Sequence, residues 1–104
     1  MKIQINTDRT IEGSDRLSQY YTAELEKELA RFEDKITRIE VHFSDENFEK
    51  FGLNDKRCLI EIRLEKKQPL AVTEHADTLE KSFYGALLKT KKVLNTTFEK
   101  MKEH

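Results

Sequence analysis

Apolar residues follow two different periods along this chain, and the change of period divides it into predicted strands and helices. Alternation with a period of two is typical of a half-buried strand. It covers residues 2–7, 37–43 and 57–64. Residues 69–73 are predicted to form a fourth strand. Pro69 is compatible with this strand, because it stands at the start, where a missing amide hydrogen is tolerated.

Two longer stretches repeat their apolar residues every three or four positions, as an amphipathic helix does. The first follows a turn at residues 13–15, has Ser14 as its capping residue and covers about five turns. Its apolar stripe is Leu17, Tyr20, Tyr21, Leu25, Leu29 and Phe32. The second is capped by Asp77 or Thr78, and its stripe is Leu79, Phe83, Ala86, Leu87, Leu94, Phe98 and Met101.

The resulting order, β-α-β-β-β-α, predicts an α+β fold: a four-stranded mixed sheet with two helices packed on one face. The first two strands are joined through a helix and should lie parallel, whereas the later ones follow as antiparallel hairpins. Both helices should cover the same face, since each strand has one apolar side. The predicted core is Leu17, Leu25, Ile39, Val41, Ile60, Ile62, Phe83, Leu87 and Leu94. The other face should be polar and open, with Gln4, Arg38, Glu40, His42, Glu61 and Arg63.

Composition narrows the class of protein. A chain of 104 residues fits one domain, residues 1–104, and its apolar fraction of 37% falls in periodic runs, which argues against disorder. The apolar runs are far too short to span a membrane, and the N-terminus has no signal region. Cys58 is the only cysteine, which fits the reducing cytoplasm. A net charge of −1 argues against indiscriminate coating of nucleic acid.

One irregular stretch, residues 44–55, is too long for a tight hairpin, and we expect a poorly ordered loop there. Metal-ligand types occur in and near it, but His42, Asp45, Glu46 and His75 lack the short fixed spacing of a zinc site. Cys58 falls on the apolar side of its strand and should be buried, not nucleophilic.

Four blocks of sequence resemble the short ribosome hibernation factors, the family of the ribosome-associated inhibitor and hibernation promoting factor. They are the helix register from Arg16-Leu17 through Phe32-Glu33 to Ile36; the segment 41–47, VHFSDEN; the segment 54–58, NDKRC, with Glu61 and Arg63; and the segment 68–73, QPLAVT, with His75 to Thr78, Gly85-Ala86 and a lysine-rich helix. The later blocks are most similar to a single-domain proteobacterial branch.

The resemblance implies a cytoplasmic protein that binds the small ribosomal subunit and its rRNA, in the channel of messenger and transfer RNA. Occupying that channel would block initiation and protect idle ribosomes. The resemblance implies no catalysis and no cofactor, and we also expect no metal, no small-molecule substrate and no membrane. Because the chain stops after the second helix, the dimerising tail of the long form would be missing, and we expect a monomer or weak dimer.

The candidate RNA-binding residues form two groups. The second helix has Lys81, Lys89, Lys91 and Lys92, which can position phosphates or can simply form a solvated helix face. The open sheet face has Arg38, His42, Arg57 and Arg63, which either add a basic patch or pair with Glu40, Glu61 and Glu65; pairing is favoured. The well-studied members are basic on both helices, whereas residues 14–34 here have six acids against three bases.

Tyr20 and Tyr21 could stack on bases, although Tyr21 is expected in the core.

Three hypotheses about function follow. The leading one is a ribosome-binding factor that acts by occlusion. The second is a protein–protein module of the same fold that has lost strong rRNA binding. The third is an enzyme with a site formed around the 44–55 loop by His42, Asp45, Glu46 and Asp55, which would need a concave pocket and perturbed carboxylates. A continuous basic strip would favour the first, and ion-paired arginines the second.

Overall fold

The computed structural model describes residues 1–8, 15–46 and 55–102. Its strands are β1 (Lys2–Thr7), β2 (Ile36–Asp45), β3 (Lys56–Leu64) and β4 (Leu70–Ala76). Its helices are α1 (Asp15–Glu28), a short 3-10 turn (Ala30–Phe32) and α2 (Leu79–Lys102). The predicted order of elements is confirmed. No helix within the described residues is long and apolar enough to cross a membrane.

The four strands form one mixed sheet in the order β1-β2-β3-β4. β1 lies parallel to β2, with Ile3 opposite Ile39, and the later pairs are antiparallel, with Val41 opposite Ile60 and Ile60 opposite Val72. This register places the apolar side chains of neighbouring strands on one face, as the period-two pattern predicts. The mixed topology is therefore confirmed.

Both helices pack on that apolar face. Phe43 of β2 lies close to both, with its ring centroid 4.9 Å from that of Tyr21 in α1 and 6.3 Å from that of Phe83 in α2. The predicted core is confirmed except at one position. Leu17 is only half-buried and packs against the edge of the core. It lies in the first turn of α1, whereas burial along this helix begins at Tyr21.

The first helix is shorter than its stripe predicts. α1 ends at Glu28, and the chain continues through the 3-10 turn, in which the amide of Phe32 donates to the carbonyl of Leu29 over 2.9 Å. Leu29 and Phe32 both remain buried. The tighter turn thus keeps the apolar stripe on the core while it brings the chain round to the start of β2.

The ends of β2 and β4 also differ from the prediction. Ser44 and Asp45 belong to β2, and β4 runs from Leu70 to Ala76, not from Pro69 to Thr73. Thr78 caps α2, because its Oγ1 accepts a hydrogen bond of 3.1 Å from the amide of Lys81. Ser14, the side chain of Met101 and most of the 44–55 loop lie outside the described residues.

Gly85 of α2 leaves space for the side chain of Glu74, which projects from β4. A Cβ at this position would lie 2.6 Å from Cγ of Glu74. Glycine in a helix interior costs about 1 kcal/mol relative to alanine. We therefore expect Gly85→Ala alone to change the free energy of unfolding little, since Glu74 must move away from Lys89. In a Glu74→Ala background the same change should stabilise by about 1 kcal/mol. Urea denaturation of the four proteins measures this coupling, and equal gains in both backgrounds would contradict it.

Candidate functional site

Three of the four candidate lysines on α2 already have a carboxylate partner. Nζ of Lys81 lies 3.2 Å from Oδ1 of Asp77, one turn earlier. Nζ of Lys89 donates to the carbonyl of Thr73 over 2.8 Å and lies 3.4 Å from Oε1 of Glu74. Lys91 pairs with Glu28 of α1. Lys92 is exposed and makes no ion pair with any residue that the structure describes.

The pair between Lys91 and Glu28 connects the two helices. The Glu28 carboxylate accepts a hydrogen bond from the ammonium group of Lys91, and this bond lowers the pKa of the carboxyl. Both side chains are partly exposed, so the pair is open to exchange with other ions. The paired lysines of α2 thus have partners on α1, on β4 and in the segment just before α2, and they do not form one unpaired basic cluster.

On the open face of the sheet, Arg38 is held by two neighbours. Its Nε donates to Oε1 of Glu40 over 2.8 Å, and its Nη2 donates to Oε1 of Gln4. Nε2 of Gln4 in turn donates to Oδ1 of Asn6 over 2.8 Å. The hydrogen bond from Arg38 lowers the pKa of the Glu40 carboxyl. Arg38 is therefore part of a hydrogen-bonded network, although its ion pair lies within β2 and its cross-strand contact is to the neutral Gln4.

His42 stands between two carboxylates on the same face. Its Nε2 lies 3.0 Å from Oε1 of Glu61 and 3.5 Å from Oε2 of Glu40, and the two glutamates are directly opposite each other in the β2–β3 register. The imidazole thus lies between two side chains of like charge. Nε2 of His42 has no aligned hydrogen-bond partner among the described residues.

The same three side chains bring together atom types that bind divalent cations. One ligand atom from each of Glu40, His42 and Glu61 lies within 4.8 Å of the others. Sequence analysis missed this group because it looked for ligands at a short spacing in one segment, whereas Glu61 comes from the neighbouring strand. The available signal was the alternation that places all three residues on the open face.

The other two candidates on the sheet behave differently from each other. Nε of Arg57 lies 3.4 Å from Oε1 of Glu46, whose other oxygen lies 3.3 Å from Nε2 of His75. Arg63 is exposed and has no carboxylate partner within the described part of the chain. Pairing with a predicted glutamate is thus confirmed for Arg38 and His42. Arg57 pairs with Glu46 instead, and the prediction is wrong for Arg63.

The residues of the hypothetical enzyme site do not converge. Nζ of Lys56 lies 2.9 Å from Oδ2 of Asp45 and 3.2 Å from Oδ2 of Asp55, and these hydrogen bonds raise the pKa of Lys56. Both aspartates thus form ion pairs with Lys56, whereas His42 contacts the glutamates of the open face. Nothing in this arrangement pairs a nucleophile with a base.

The two tyrosines of α1 have separate roles. Tyr21 is buried, with its ring centroid 4.5 Å from that of Phe83, which confirms its place in the core. Tyr20 is 45% exposed, and its hydroxyl lies 2.6 Å from that of Tyr84 on α2. This hydrogen bond, more than burial, raises the pKa of Tyr84. Tyr20 is therefore accessible to a base but fixed at one edge by Tyr84.

Sequence analysis also missed a group of unpaired cations where the turn between β3 and β4 meets the start of β2. Lys35, Lys66 and Lys67 are exposed and make no ion pair with any described residue. Lys66 and Lys67 were interpreted only as a short connection. The signal was two consecutive lysines at the tip of a predicted hairpin.

Comparison with protein-family models shows to which family the chain belongs. Residues 3–102 match the model of the sigma 54 modulation protein / S30EA ribosomal protein family. The chain belongs to this family. The sigma 54 modulation / S30EA family comprises ribosome-associated, non-enzymatic factors, and the match confirms the resemblance to hibernation factors noted from the four sequence blocks.

Solved structures of low sequence identity share the fold of this S30EA-family chain. A ribosomal subunit interface protein from Coxiella burnetii is 21% identical over all of both chains, with a TM-score of 0.65. The N-terminal domain of Protein Y from Thermus thermophilus is also 21% identical, over 93% of this chain and 99% of that one, with a TM-score of 0.68. A search of curated proteins found no match.

Proposed function

We propose that this protein binds the small ribosomal subunit in the cytoplasm and occludes the channel for messenger and transfer RNA. It would thereby inhibit translation and protect idle ribosomes. The observation that carries the proposal is the family match, which extends over residues 3–102, nearly the whole chain. The protein acts by binding alone, and its candidate contacts are the lysines of α2 with Arg38, His42, Arg57 and Arg63.

The ion pairs on α2 are compatible with RNA binding. Lys81 and Lys89 retain about half or more of their side-chain exposure, at 68% and 49%. Exposed pairs of this kind contribute only about 0.2–1 kcal/mol, so a phosphate can replace the carboxylate at low cost. The acids that remain nearby still weaken the field around α2, and tight binding therefore needs a shape that fits a preformed site, not charge alone.

The rival function is a protein–protein module, and the open sheet face favours it. Arg38 and Arg57 are engaged by Glu40 and Glu46, and His42 lies between two glutamates. These contacts leave Arg63 as the one candidate on this face without a carboxylate among the described residues. A mixed-charge surface of this kind suits a partner that has charges of both signs better than it suits a phosphate backbone.

Sedimentation with purified small subunits tests the proposal. We expect the wild type to co-sediment and to dissociate as salt is raised. Lys89→Glu with Lys92→Glu should reduce the bound fraction at least about tenfold, because the two exposed positions would then carry negative charges that repel phosphate. The matched control is Arg16→Glu with Lys27→Glu, two exposed positions on α1 with the same change in net charge.

Two results would decide against parts of this proposal. If the wild type stays at the top of the gradient, occlusion is wrong, and the protein–protein function replaces it. If the α2 variant sediments like the wild type, α2 is not the contact surface. The proposal requires the α1 control to bind much more of the small subunit than the α2 variant does.

A further inference from the structure

Three of the cations that lack a carboxylate partner among the described residues lie together at one end of the sheet. Glu65 follows β3, and its amide donates to the carbonyl of Lys35 over 3.1 Å, which brings the β3–β4 turn beside the start of β2. Lys35, Lys66 and Lys67 line one groove of about 260 Å³ together with Asp34, Glu65 and Phe98. Three unpaired lysines therefore converge around a single concave surface.

The basic surface continues from this groove along α2. Lys66 and Lys67 also line an open depression on the other side of the turn, which includes Thr97 of α2. Thr97 lines a further shallow depression with Lys92, the α2 lysine without an ion pair among the described residues. We call Lys35, Lys66, Lys67 and Lys92 the hairpin strip. With Asp34 and Glu65 included, four positive charges face two negative ones.

Two features mark this strip as more than a solvated edge. Lys66 has a φ of 61°, in the left-handed region that favours glycine, so a lysine is kept at a strained position where glycine would be free of strain. Nζ of Lys35 lies 5.5 Å from the ring centroid of Phe98, which stacks on Phe32 at 5.6 Å. The aromatic pair fixes this side of the groove, and none of its three lysines makes an ion pair with a described carboxylate.

We propose that the hairpin strip binds backbone phosphates of single-stranded RNA, as a contact distinct from the ion-paired lysines of α2. The proposal rests on the proposed ribosomal function for its choice of RNA as the anion. Lysines bind phosphate as compact point charges and position it without reading sequence. Unpaired lysines need not release a carboxylate first, so the strip binds phosphate more readily than the ion-paired lysines of α2 do.

Fluorescence anisotropy with a labelled single-stranded RNA, titrated with salt, tests this contact without the ribosome. Lys66→Gln with Lys67→Gln should reduce the slope of log K against log salt by about 1.4, since each contact contributes about 0.7. The control is Arg16→Gln with Lys27→Gln on α1, which removes the same charge and should leave the slope unchanged. Circular dichroism should show an intact fold in both variants, because all four side chains are exposed.

Three results would overturn the inference: an unchanged slope in the hairpin variant, an equal loss of slope in the control, or no RNA binding by the wild type at low salt. Binding of polyglutamate as tight as that of RNA would assign the strip to an acidic protein instead. The proposed function fails separately. If wild-type protein binds RNA through the strip but never sediments with small subunits, the strip stands and occlusion is wrong.

Discussion

Replacing Phe83 with alanine is expected to lower the free energy of unfolding by about 3–5 kcal/mol. Phe83 is fully buried, and its ring contacts Tyr21 of α1 and lies near Phe43 of β2, so it joins both helices to the sheet. Removing the ring leaves a cavity that these neighbours cannot fill, because close-packed interiors relax only partly. A domain of this size has about 5–15 kcal/mol of stability, so the loss is a large part of the total.

Urea denaturation measures this loss, and α2 itself offers the control. Leu88 lies five residues further along the same helix but is 56% exposed, so Leu88→Ala should change stability by less than about 0.5 kcal/mol. Similar losses for the two variants would contradict the assignment of Phe83 to the centre of the core. The expected difference comes from burial alone, since alanine is a good helix former at both positions.

The thiol of Cys58 is expected to react with a disulfide reagent about a thousand-fold more slowly in the folded protein than in denaturing urea. Cys58 is fully buried in β3, and burial raises the pKa of its thiol to about 12. An ordinary thiol has a pKa of about 8.5, and each further unit lowers the reactive thiolate tenfold at neutral pH. Absorbance of the released reagent measures the rate.

An exposed thiol on the same protein provides the comparison. In Cys58→Ala with Thr96→Cys, the only thiol lies on an exposed position of α2 and should react at nearly the unfolded rate. If Cys58 reacts as fast as the thiol of this variant, the residue is accessible and its assignment as an inert core residue is wrong. A slow rate that rises with urea below the unfolding midpoint would instead report local opening of β3.

The strands and helices were predictable because periodicity depends on each residue's own neighbours. Ile39, Val41, Ile60 and Ile62 alternate with charged residues, and only one face of the sheet can bury them. Leu17 and the end of α1 were not predictable. The 3-10 turn keeps Leu29 and Phe32 in the core at a spacing that a continuing helix would also give. Apolar spacing alone cannot distinguish the two backbones.

The candidate site was less predictable, since it depends on contacts between distant segments. Arg38 and Glu40 are two residues apart on one strand, and alternation places them on the same face. Lys91 and Glu28 are 63 residues apart, and nothing local indicates that α1 brings the carboxylate to α2. The unpaired lysines of the hairpin strip likewise become apparent only once the acids near them are assigned to other partners.

The order of the strands in the sheet has a consequence for how the chain folds. Because sheet order follows chain order, β2, β3 and β4 close through successive hairpin connections. The parallel contact of β1 with β2 joins residues 36 positions apart, as Asn6 and His42 show. Closing that longer loop costs more chain entropy. This cost slows folding, because the entropy is lost before the contacts between β1 and β2 can stabilise the chain. The antiparallel meander can therefore form first and serve as the template on which β1 docks last.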